Sequence, residues 1–262
     1  MPSLFEFRLT RADSPFWAVA LHDGHQISPL LAPYLLLDDE QRLREEDPYT
    51  ACMAELPVNQ LFVGTSRFQL DINRAIDGAV YLRPDQAWGL QVWKEKLPEH
   101  ILQQLYQEHE QIYTQIDQWI QETIDTHGFF VVFDVHSYNA KRESRDEVID
   151  AAANPQVNLG THYNKPLWRP LIEEFIKSVS KQQLLESPID IRENVKFKGG
   201  NLAQHLTKKF GDYGCVLSVE FRKDFMDEWT GLPYMPAIQE YKQLMLHALK
   251  DLQKNGVHEN TR

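Results

Sequence analysis

Histidines at the ends of apolar runs, with carboxylates close by, are the residues of this chain best suited to chemistry. Gly128 to Tyr138 reads Gly-Phe-Phe-Val-Val-Phe-Asp-Val-His-Ser-Tyr, so five apolar residues give way to Asp134 and His136. An imidazole oriented by a nearby carboxylate serves as a metal ligand or an acid/base group. His22 follows a second apolar run, Phe16 to Leu21, and His25 lies three residues further on. Imidazole suits zinc, and a catalytic zinc takes about three protein ligands while keeping one position open. His22 and His136 are therefore the candidate ligand pair, with the third ligand supplied by His25 or by the acids Glu46 and Asp47.

Other residues complete a reacting site. Glu220 ends the run Cys215-Val-Leu-Ser-Val-Glu, a position where burial raises a carboxylate's proton affinity and where a general base acting on water belongs. Arg67 and Arg74 bracket Phe68 to Asn73; a guanidinium grips a carboxylate through two parallel hydrogen bonds, and Asn73 adds a donor. Asp71 and Asp134 are read as supports behind the reacting groups. Lys198-Gly199-Gly200-Asn201 is a glycine turn before a helix start, a place suited to anions.

Positioning these residues requires a sheet. Strand patterns run over Leu4 to Leu9, Phe16 to Leu21, Arg67 to Ile72, the five apolar residues Phe129 to Phe133 and Val216 to Phe221, with a short one at Asp190-Ile191. Gly24 allows a tight turn after the second. A loop rich in Pro and acid follows, and a helix is expected over Pro48 to Val58, with Asp47 as N-cap and Pro48 at the first position. Ile101, Leu102, Leu105, Ile112, Ile116, Trp119, Ile120 and Ile124 recur at three and four, marking a helix from about Pro98 to Thr126. Further helices are expected over Leu167 to Val179, Asn201 to Phe210 and Pro236 to Leu252. Alternation of this kind predicts an α/β fold, a three-layer αβα arrangement around a mixed, largely parallel sheet. Strand ends in such a sheet converge on one crevice at the carboxyl edge.

The 262 residues are expected to form one domain, residues 1–262, with a frayed tail from about Lys254. A net charge of −11 argues against a protein that tracks nucleic-acid phosphates, without excluding a local cationic pocket for an acidic small molecule. Cys52 and Cys215 sit among apolar neighbours and are expected to be buried thiols in a reducing compartment. With no signal-like amino terminus and no apolar run of about 20 residues, the expectation is a cytoplasmic protein that does not enter a membrane.

Taken in order, His22-x-Gly24, Asp71-Ile-Asn73-Arg74, Asp134-Val-His136-Ser137 and Val219-Glu220 resemble the N-formylglutamate amidohydrolase family, whose fold is like that of the zinc carboxypeptidases. Glu46-Asp47, Asn158-Leu-Gly-Thr161 and Phe197-Lys-Gly-Gly200 followed by His205 match further, so the resemblance spans about residues 18 to 250. Leu21 stands where the family usually has proline. The resemblance implies a zinc-dependent hydrolase that cleaves the amide of an N-acyl amino acid, releasing formate where the acyl group is formyl. It also implies that His22, His136 and Asp47 hold the metal, that Glu220 is base and then acid, and that Arg74 with Asn73 clamps the substrate carboxylate, assisted by Arg67. One rival keeps the metal and takes a peptide or a longer N-acyl amino acid; another is an inactive metal- or ligand-binding protein.

Overall fold

Nine consecutive buried residues, Phe130–Tyr138, form the strand around which the molecule is organised in the computed structural model, which describes residues 3–256. In chain order the strands are β1 (Phe7–Thr10), β2 (Phe16–Ala20), β3 (Asn59–Val63), β4 (Phe130–Tyr138) and β5 (Val157–Gly160). A two-stranded ribbon follows, β6 (Gln183–Leu184) and β7 (Ser187–Pro188), and then β8 (Ile191–Glu193) and β9 (Gly214–Arg222). Seven of them make one sheet in the order β1-β3-β2-β4-β9-β5-β8. β1 pairs antiparallel with β3, and β5 antiparallel with β9; the other four pairings are parallel. The mixed, mostly parallel sheet flanked by helices is the architecture the sequence predicts.

The helices are α1 (Asp39–Glu45), α2 (Thr50–Met53), α3 (Glu99–His127), α4 (Arg169–Ser180), α5 (Asn201–Phe210) and α6 (Met235–Asp251). Side chains alternate across β4, so Val131, Phe133 and Val135 pack with residues of α2, α4 and α6 on one face. Phe130 and Val132 pack with α3, α5 and the irregular segment 65–97 on the other. Asp134 and His136 continue the Phe130 and Val132 row, and Ser218 and Glu220 continue that of Val216 on β9. Parallel pairing in register sets His136 beside Glu220. The second face is thus apolar at its amino-terminal end and polar at its carboxyl edge.

Four local expectations are corrected. Residues Arg67 to Ile72 are not a strand: Gln69 and Leu70 donate back to the carbonyl of Ser66, folding the segment into turns. Its polar–apolar alternation misleads because Arg67, Gln69 and Asp71 are buried together with Phe68, Leu70 and Ile72. The strand in this region is β3, just upstream. The helix expected over Pro48 to Val58 shrinks to Thr50–Met53: the Asp47 carboxylate turns to two imidazoles instead of capping its start, and Pro57 has no N–H to continue it past Met53. In the acidic loop before it, α1 forms on a capping box between Asp38 and Gln41, a signal present in the sequence. Cys52 is exposed, whereas Cys215 is buried. The frayed tail expected from Lys254 lies mainly outside the described residues, beyond a π-helical turn at Leu252–Gly256. Among the described residues, no helix is long and apolar enough to cross a membrane.

Candidate active site

His22, just beyond β2, and His136, on β4, meet the loop after α1 at Asp47. His22 Nδ1 lies 3.2 Å and His136 Nδ1 3.0 Å from Asp47 Oδ2, and the two rings stand 4.8 Å apart. Asp47 is held to the strand end by its backbone N–H, which donates to the His22 carbonyl at 2.9 Å. One ligand atom from each of the three lies within 4.8 Å of the others, and all three residues are buried. The donor set fits zinc: bonds of about 2 Å in a tetrahedron separate the ligand atoms by about 3.3 Å, close to the two histidine–aspartate distances. Burial alone would push the Asp47 carboxyl up; hydrogen bonds from His136 and His22 hold it well below its ordinary value instead.

The outer nitrogens have partners of their own. His22 Nε2 lies 2.8 Å from Asp71 Oδ1, and His136 Nε2 lies 2.8 Å from Asp134 Oδ1. Each Nε2 thus faces a carboxylate that can hold its proton while each Nδ1 faces the centre, the arrangement in which a carboxylate orients a metal-binding histidine. Asp134 is braced by the Ser218 hydroxyl, and Asp71 by Arg67 Nη2 at 2.9 Å and by the Tyr81 hydroxyl. Burial opposes ionisation of Asp71, but the charges of His22 and Arg67 hold it well below the usual carboxylate range. Burial likewise works against charge on His136, and the Asp134 carboxylate overcomes it, raising that imidazole's pKa well above the ordinary value.

These groups open into a cavity of about 700 Å³, whose wall includes Glu220, Arg74, Arg67 and Asn73. Glu220 is half-buried beside His136; burial is the main reason its carboxyl is pushed up to about 8, with the charge of His136 opposing. Arg74 is half exposed, and its Asp71 partner is at 3.9 Å, so its donors face the cavity. Arg67 is more committed: it donates to Tyr81, to the Glu45 carbonyl and to Asp71. Asn73 accepts on Oδ1 from the N–H of Leu202, with Nδ2 3.2 Å from His136 Nε2. The turn before α5 thus gives part of its helix start to Asn73, and Gly200 lies so close that a Cβ there would stand 2.3 Å from the Asn73 amide.

The structure does not bring His25 or Glu46 to the centre. His25 Nδ1 pairs with Glu46 at 2.5 Å, Arg42 donates to the His25 carbonyl, and Ser66 donates to Glu46. His205 pairs with Asp117 of α3 at 2.7 Å and does not line the cavity. Asn158 holds the wall from behind: its Oδ1 accepts from the Lys196 and Phe197 backbone, and its Nδ2 donates to the Phe197 carbonyl. Sequence reading missed Trp88, Arg142, Lys196 and Lys223, which also line the cavity. Lys223 had a signal, being three residues past Glu220 at a strand end. Trp88 had none: it lies in irregular chain with a left-handed backbone (φ 53°), its ring 4.8 Å from the Arg67 guanidinium.

The model of the N-formylglutamate amidohydrolase family matches residues 14–226. No curated protein matches the chain. Among solved structures, an N-formylglutamate amidohydrolase from Ralstonia eutropha JMP134 is similar at a TM-score of 0.73 and 14% identity, over 96% of this chain and 99% of that one. A gene product of Agrobacterium tumefaciens is similar at 0.64 and 14% identity, over 95% of both chains. A putative carboxypeptidase A from Shewanella denitrificans OS-217 matches at 0.38 and 13% identity, over 96% of this chain and 65% of that one.

Proposed function

The chain belongs to the N-formylglutamate amidohydrolase family, and from that premise we propose that it is a zinc-dependent hydrolase releasing formate from an N-formylated acidic amino acid such as N-formylglutamate. The observation that carries the proposal is the buried set of His22, Asp47 and His136 opening into one cavity with Glu220 and Arg74. His22, His136 and Asp47 would hold the zinc, which when bound would supply Lewis acidity to the scissile carbonyl and the attacking water. Glu220 takes the proton from that water as it adds to the carbonyl carbon and returns it to the departing amine nitrogen. Arg74 orients the substrate through its α-carboxylate. Asp71 and Asp134 keep the two imidazoles turned toward the centre.

Charge favours an anionic substrate. The chain carries −11 overall, yet the cavity wall sets Arg67, Arg74, Arg142, Lys196, Lys198 and Lys223 against Glu45, Asp47 and Glu220. A cationic cleft in an acidic molecule concentrates anions where they react. Two free cysteines suit a reducing, cytoplasmic setting.

Formate release measured across N-formyl amino acids, with zinc-loaded, cobalt-loaded and metal-free protein, tests the reading. N-formylglutamate is expected to be cleaved faster than N-formylglutamine, and only by metal-loaded protein. Metal uptake without any hydrolysis would favour an inactive binding protein. The size of the cavity supports one second reading: about 700 Å³ lies within the roughly 300–1,000 Å³ of pockets for larger ligands, room for a longer N-acyl group or a peptide. Faster cleavage of N-acetyl or aminoacyl substrates than of N-formyl ones would select it.

A further inference from the structure

Lys223, directly after β9, is a buried cation that the chemistry above leaves without a role. It is 3% exposed. Its Nζ donates to the carbonyls of Arg44 and Glu46, both at 2.7 Å, and its backbone N–H donates to the Tyr138 carbonyl at 3.0 Å. One residue thus joins the ends of β4 and β9, through its backbone, to the carboxyl end of α1, through its side chain, immediately before Asp47. The Arg44 carbonyl is one of the last four of its helix, which lack intrahelical partners, and a cation there is favoured by the helix dipole. A cap at the surface would serve α1 as well. Burying an ammonium group is costly unless it is paired, and this one lies in the cavity wall with Glu220 and His136, near the negative charges of Asp47, Glu45 and Glu228.

We propose that Lys223 is a positioning residue for the metal centre: by gripping the carbonyls on either side of Glu45, it sets where the Asp47 carboxylate stands between His22 and His136. The other backbone anchors of Asp47 lie on the far side from α1: its N–H donates to the His22 carbonyl, and its own carbonyl accepts from the Thr50 hydroxyl and N–H. Without Lys223 the loop is held on that side only, and the carboxylate leaves the line between the imidazoles. The proposal rests on the metal-site reading above.

Cobalt titration of metal-free full-length protein, followed by visible absorption and competition with a chelator, tests it in wild type, Lys223→Met and Lys223→Gln. Lys223→Met is expected to bind cobalt at least tenfold more weakly, with a shifted absorption band, and Lys223→Gln, which keeps a donor for one carbonyl, to fall between. Phe175→Leu, in the distant core of α4, is the control for lost stability: with a comparable fall in melting temperature, it should leave affinity and spectrum unchanged. Wild-type affinity and spectrum in either folded Lys223 variant would overturn the proposal, as would the same loss in Phe175→Leu. Wild-type protein that takes up no cobalt would sink the metal centre itself, and this proposal with it.

Discussion

Burial favours the protonated form of both Asp47 and Glu220, yet the two carboxyls end on opposite sides of their ordinary range. Asp47 receives two imidazole hydrogen bonds that outweigh its desolvation, so it stays anionic and suits a ligand. Glu220 lacks them and is pushed up to about 8, near the range in which a group trades protons at neutral pH. Glu220→Gln is therefore expected to keep its metal and lose turnover by about 10²- to 10⁴-fold, measured as formate release beside metal content; turnover near wild type would remove Glu220 from the mechanism. Asp134→Asn should cost about 10- to 100-fold in metal affinity by loosening His136, with chelator competition as the measure. Thiol labelling of native protein should modify Cys52 and spare Cys215, and slowly, since burial raises the Cys52 pKa as well. His22, His136 and Glu220 were legible because each closes an apolar run. Choosing Asp47 over Glu46 and His25 required the family pattern, since adjacent acids look alike until the backbone shows which one turns inward.

The central elements were legible and the connecting ones were not, for a physical reason. α3 buries a long periodic face and β4 is buried on both faces behind an unbroken apolar run, and both leave a clear pattern. The segment 65–97 buries polar and apolar residues together by giving its polar groups partners in the segment and in the loops around it, and no period describes that. A tight contact at the start of α5 gives this scale its own prediction. A methyl group at Gly200 would collide with the Asn73 amide, which accepts from Leu202 and lies against His136. Gly200→Ala should lower kcat/KM by at least about tenfold while the protein stays folded, as read by steady-state kinetics beside a thermal melt. Unchanged kinetics would mean that Asn73 yields without moving Arg74 or His136.

For the molecule as a whole, the contrast between an acidic surface and a cationic cavity predicts that KM for an N-formyl dicarboxylic acid rises with salt, while KM for a neutral amide does not. Equal salt dependence for both would argue against steering. Stability should also depend on pH through Lys223. Burial, opposed by Asp47, lowers its pKa from 10.5 to about 8 in the folded chain, so between those values the unfolded state binds more protons and stability rises with pH. The interval corresponds to roughly 3 kcal/mol, and denaturant melts from pH 7.5 to 10 should show wild type gaining on Lys223→Met by an amount of that order. Parallel slopes would contradict it. The β4–β9 pairing runs without interruption from Phe130 opposite Gly214 to Tyr138 opposite Arg222, so the chain between them leaves and rejoins the sheet at fixed points. That span contributes the wall from Asn139 to Gln204 but neither the two histidines nor Glu220. The loops of that span can therefore change which molecules are admitted without moving His136 or Glu220, whose spacing the paired strands fix.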